Sequence, residues 1–124
     1  MTHTNEEWRQ MSESLAPLLT RRDLIGYAAA VNTRRIGDAT AEYVRIREEL
    51  IEEYGTLNGN MFTIIMGTPE HEAFERDLAE VAAIEQDVDV MLVPRDRACG
   101  ELTGEELLDA WWMFEDADAE SEVA

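Results

Sequence analysis

A chain of 124 residues with 45% apolar content has the size and composition of one folded domain. Its 10 basic residues, all arginine, stand against 28 acidic ones, for a formal net charge of -18. Such a field repels a polyanion, which excludes direct nucleic-acid binding through phosphate neutralisation.

The imbalance is uneven: residues 1–62 carry -3 and residues 63–124 carry -15. Two readings follow. The acids form a solubilising surface, or they form a face that docks on a basic partner or mimics nucleic acid. The single Cys99 permits no internal disulfide, and no His/Cys cluster has zinc spacing. No apolar run approaches membrane-spanning length, and Met1–Glu6 lacks a basic and apolar leader pattern. The expectation is a cytoplasmic protein with no membrane partner and no cofactor.

Residues 5–14 predict a first helix, capped by Thr4 or Asn5, with Trp8, Met11 and Leu15 facing inward. Pro17 ends it.

The stretch Thr20–Tyr54 reads as one long central helix. Thr20 is its expected N-cap and Gly55 a left-handed residue past its end. Ile25, Ala29, Ile36, Ala39, Tyr43, Ile46, Leu50 and Tyr54 recur at helical steps, interrupted by Asn32. Arg21 and Arg22 suit a helix start poorly; they pair with acids elsewhere, or they belong to a linker and the helix begins later.

A second stripe is small: Gly26, Ala30, Thr33, Gly37, Ala41 and Val44. Glycine inside a helix costs about 1 kcal/mol against alanine. The stripe therefore signals close backbone approach or a bend at Gly37. A straight helix of this length would run to roughly 50 Å, against a radius of gyration of roughly 14 Å for a compact chain this size. It must bend, or bury its overhang against a second copy. Gly26, Ala30, Thr33 and Gly37 are thus candidate interface residues.

Asn58-Gly59 marks a turn. Met61–Met66 predicts a buried strand, Thr68-Pro69 opens a helix running to about Ile84, and Val88–Val93 predicts a second strand. Strand, helix, strand would pair in parallel within one sheet, or the strands pair across subunits. Thr103 and Glu106 form a capping box for a last helix, apolar through Leu107, Leu108, Trp111, Trp112 and Phe114. Adjacent helical tryptophans point about 100° apart, so Trp111 and Trp112 are either both core or one of them an interface anchor. Residues 1–114 form the expected domain, and 115–124 an acidic disordered tail.

Two catalytic patterns fall short. His71-Glu72-Ala73-Phe74-Glu75 begins like a zinc-peptidase helix but places Glu75 where the second histidine belongs. Glu48-Glu49-Leu50-Ile51-Glu52 matches the EExxE pattern of helical nucleotide pyrophosphohydrolases, in which carboxylates hold magnesium against a triphosphate. That chemistry needs a second acidic helix facing the first, and only Glu72, Glu75 and Asp77 offer one. No catalytic or metal residue is assigned.

The succession of Ile36, Tyr43-x-x-x-Arg47-x-x-Leu50-x-x-x-Tyr54-Gly55, Gly59, Phe74-x-x-x-Leu78, Asp87-Val88-Asp89-Val90 and Leu102-Thr103-x-x-Glu106-Leu107 resembles small helical phage and prophage proteins. The likeness spans roughly residues 15–115; the missing lysines and the tryptophan pair depart from it. The resemblance implies a phage or prophage origin and no catalytic residue.

The expected fold is mostly α with minor β, an α+β arrangement of one long helix packed by shorter helices and two short strands. The expected function is non-enzymatic, through self-association and protein–protein contacts: a homo-oligomer, or a protein that assembles with a basic host or virion protein. The alternatives are an acidic inhibitor of a basic host nucleic-acid-binding or defence protein and, more remotely, a magnesium-dependent nucleotide pyrophosphohydrolase.

Overall fold

The computed structural model describes residues 1–115 as an α+β fold in which five helices carry six very short strands. Strand β1 (Thr2–Thr4) leads into helix α1 (Asn5–Glu13). Thr4 caps α1 with a full box: its hydroxyl accepts from Glu7 N–H at 3.2 Å, and Glu7 Oε1 accepts from Thr4 N–H at 2.9 Å. Pro17 lies in a single 3₁₀ turn, Ala16–Leu18.

The expected long helix is two helices. α2 runs Leu24–Ala39 and α3 runs Ala41–Tyr54. The start belongs to Asp23, whose carboxylate accepts from Gly26 N–H at 3.1 Å. Arg21 lies in the preceding linker and pairs with both Asp23 and Glu101. The Arg21 guanidinium, and after it the Gly26 amide, hold the Asp23 carboxyl down at about 2.

The break falls at Thr40, three residues past Gly37. Thr40 is buried and its hydroxyl donates to Ile36 C=O at 2.8 Å. Such back-bonding competes with the helix ladder and bends it. The continuous rod expected from the sequence is thus interrupted at Thr40.

Past α3 come β2 (Thr56–Asn58), β3 (Met61–Thr63) and α4 (Pro69–Ala82). Thr68 caps α4, accepting from His71 N–H at 3.2 Å, with Pro69 in the first turn. Then β4 (Glu85–Asp87), β5 (Val93–Pro94), α5 (Gly104–Asp109) and β6 (Phe114–Glu115) complete the described chain. The Thr103–Glu106 box starts α5 as expected. The helix stops at Asp109, however, and Trp111–Met113 form a 3₁₀ turn. Glu115 pairs in β6; the remainder of the expected tail, 116–124, lies outside the described residues.

The strands form three separate pairs: β1 with β4 antiparallel, β2 with β3 antiparallel, and β5 with β6 parallel. The anticipated pairing of 61–66 with 88–93 is absent. Residues 61–63 fold back on 56–58, and 88–92 form no strand. Side chains from α2 satisfy the backbone of that segment. Asn32 takes both polar groups of Met91, and Arg35 donates to Asp89 C=O at 2.8 Å.

Three apolar clusters make the core. Leu15, Leu18, Ile25, Ala28, Ala29, Val93, Met113 and Phe114 fill the first. Trp8, Ile36 and Val88 form the second, and Trp112 packs against both. Tyr43, Phe74 and Leu78 form the third, clamping α3 to α4 with Ile46, Leu50, Ile64 and Val81 around them. Full burial of such side chains contributes about 1.5–3 kcal/mol each.

Candidate interaction surface

The third cluster positions the surface. α3 ends at Gly55, whose φ of -84° is not left-handed, contrary to the sequence expectation. Glycine is needed there for another reason: a Cβ would lie 2.4 Å from Ile51 O and 3.2 Å from Thr63 O. The chain passes so close to the helix end that no side chain fits. It then turns through Gly59-Asn60, where Gly59 takes φ +69°.

The returning strand was expected to be buried. It is exposed. Leu57 is 60% exposed, Met61 69%, Ile65 70% and Met66 81%. Ile64 alone of this run packs inward, against the cluster of Tyr43, Phe74 and Leu78. Between hairpin and helices lies a groove of about 260 Å³, lined by Ile51, Phe62, Ile64, Met66 and Phe74, with Arg47 at its side. The Arg47 guanidinium sits 6.0 Å from the centre of the Phe74 ring. His71 and Glu75 close the rim, Nε2 to Oε1 at 3.3 Å.

Next to it, α1 docks on α3 through a polar knot. Tyr43 donates its hydroxyl to Glu6 at 2.8 Å, and Arg9 pairs with Glu6 and Glu13, each at 2.6 Å. Burial, followed by the Glu6 hydrogen bond, pushes the Tyr43 hydroxyl up to about 12. Burial alone would raise the Glu6 carboxyl; hydrogen bonds from Arg9 and Tyr43 outweigh it and hold that group below its ordinary value.

The residues singled out from sequence have different surroundings. Gly26 is buried, and a Cβ there would meet Arg21 O at 2.1 Å. Its close approach is therefore to its own linker. Ala30 is exposed, Thr33 half-buried, and Gly37 exposed with open space where a Cβ would go. Trp111 lies at the exposed edge, with the Arg95 guanidinium 3.9 Å over its ring. Trp112 turns inward, edge-on to Trp8 at 6.2 Å, its Nε1 donating to Ser14 Oγ at 3.4 Å.

The helix that faces α3 presents Phe74 and Leu78 to it, while Glu48, Glu49, Glu52 and Glu53 face solvent. Glu49 pairs with Arg45, and Asp77 accepts from Tyr54. Among the described residues no three His, Cys, Asp or Glu side chains group to hold a metal, and no helix is long and apolar enough to cross a membrane.

Leu57, Met61, Ile65 and Met66 are the surface residues that sequence reasoning missed. A signal for them exists: residues 55–69 contain no charged residue, the longest such run in a chain that is 31% charged. No protein-family model matches the chain, and neither curated proteins nor solved structures show a match to it.

Proposed function

We propose that this is a non-enzymatic, cytoplasmic protein of phage or prophage type that works through self-association and protein–protein contacts. One observation carries the reading: Leu57, Met61, Ile65 and Met66 are all exposed within a single segment, 55–69, that holds no charge. Exposed apolar surface concentrated in one region marks an interaction site. Sedimentation velocity across micromolar concentrations tests it. The expected result is a concentration-dependent oligomer that Met61→Glu and Ile65→Glu return to monomer with unchanged circular dichroism. A strict monomer at every concentration overturns the self-association.

A second reading draws on charge. Glu48, Glu52, Glu53, Glu70, Glu72 and Glu80 are all exposed on α3 and α4. They suit an acidic face that occupies the basic groove of a host or virion protein. Failure to capture any basic protein from host lysate at low salt counts against it.

A further inference from the structure

The hairpin of β2 and β3 offers more than apolar side chains. It is closed by a two-residue turn, with Asn58 opposite Met61, Leu57 opposite Phe62 and Thr56 opposite Thr63. In such a hairpin the pair flanking the turn exchanges the ladder hydrogen bonds, and the next pair does not. The N–H and C=O of Leu57 and of Phe62 therefore point outward, one set along each edge. Among the described residues neither edge pairs with another strand. Natural sheets blunt free edges with lysine, inward charges or proline; residues 55–68 contain none of these.

Charge names the occupant. Two copies, each at -18, repel wherever their acidic surfaces meet. Residues 55–69 are the longest uncharged stretch, so contact there brings fewer acids together than contact between the acidic helices. A basic partner would be drawn to the acidic helices instead. An antiparallel strand edge is also self-complementary, as a two-fold interface requires.

We propose that two copies join hairpin edge to hairpin edge, antiparallel about a two-fold axis, into one four-stranded sheet. This rests on the self-association reading and specifies its geometry. The same edge meets itself, β3 to β3 or β2 to β2, so assembly closes at two. Three or more strands also give the stability that an isolated hairpin lacks.

Leu57→Pro and Phe62→Pro each delete one outward N–H and leave the hairpin's own ladder intact; Leu57→Ala and Phe62→Ala control for the lost side chain. Light scattering should show wild-type dimers. One proline variant should be monomeric and its alanine counterpart should still dimerise. Spin labels on Asn60→Cys, in a Cys99→Ser background because Cys99 is exposed, give the geometry independently of folding in the proline variants. The distance between the two Asn60 positions should be roughly 14 Å for the β3 edge or roughly 20 Å for the β2 edge, the difference lying across the sheet. A wild-type monomer overturns the self-association reading itself. A dimer indifferent to both prolines, lost equally in the alanine controls, or lacking dipolar coupling between Asn60 labels overturns only the edge pairing. So does wild-type assembly beyond two.

Discussion

Asn32 makes a two-pronged bond to the backbone of Met91: its Oδ1 accepts from Met91 N–H at 2.7 Å, and its Nδ2 donates to Met91 C=O at 2.9 Å. A fully buried side-chain amide on α2 thus does for residue 91 what a neighbouring strand would do.

Asn32→Ala leaves both Met91 groups without their partner. An unsatisfied buried polar group costs about 1–3 kcal/mol. Urea denaturation should show a loss of roughly 3 kcal/mol, since Met91 is half-buried and water compensates in part. Asn32→Asp keeps one acceptor but sets a second oxygen against Met91 C=O. It should be worse at neutral pH than in acid, where the carboxyl carries a proton.

The two glycines of α2 should respond with opposite sign. Alanine is the better helix former by about 1 kcal/mol. Gly37→Ala, into open space, should raise the thermal midpoint. Gly26→Ala drives a methyl into Arg21 O, so it should lower the midpoint despite the better propensity. The proposed hairpin interface does not use Gly37, so Gly37→Ala should leave any dimer constant unchanged by sedimentation.

Tyr43 gives a pH dependence at the alkaline end. Its hydroxyl is pushed up from an ordinary value near 10 to about 12 in the fold. The folded state therefore favours the protonated phenol. That stability is fully present below the unfolded value and is lost as pH rises from about 10 to about 12. Tyr43→Phe should remove this loss, seen as a flatter denaturation midpoint across that window. At neutral pH it should cost about 1 kcal/mol for the hydrogen bond to Glu6.

Salt separates the two functional readings. Association of two chains at -18 each should tighten as salt screens their repulsion. Docking of the acidic helices on a basic partner should weaken under the same change. Sedimentation and pull-down over one salt series read both.

Three helix starts were legible because capping chemistry is local: Thr4 (or Asn5) for α1, Thr68 with Pro69 and Thr103 with Glu106; that of α2 was expected at Thr20 and lies at Asp23. The break at Thr40 was not, since it carries no glycine or proline and depends on a hydroxyl turned back on Ile36. Residues 88–92 look like a strand in composition, and only the distant Asn32 shows why they are not one. At the candidate surface, apolarity alone pointed inward for Met61–Met66. The absence of charge across 55–69 did not correct this, because a buried segment and an exposed apolar one share the same composition.

The pairing of β1 with β4 brings Thr2–Thr4 to Glu85–Asp87, with consequences for synthesis. The α3–hairpin–α4 contacts lie within residues 41–82, so their partners are all made before β4. β1 is made well before its partner and has no ladder until more than eighty further residues have followed it. Trp8 likewise waits for Gln86, whose carbonyl accepts its indole N–H at 2.8 Å. Residues 2–8 are therefore secured only once residues 85–87 have been made.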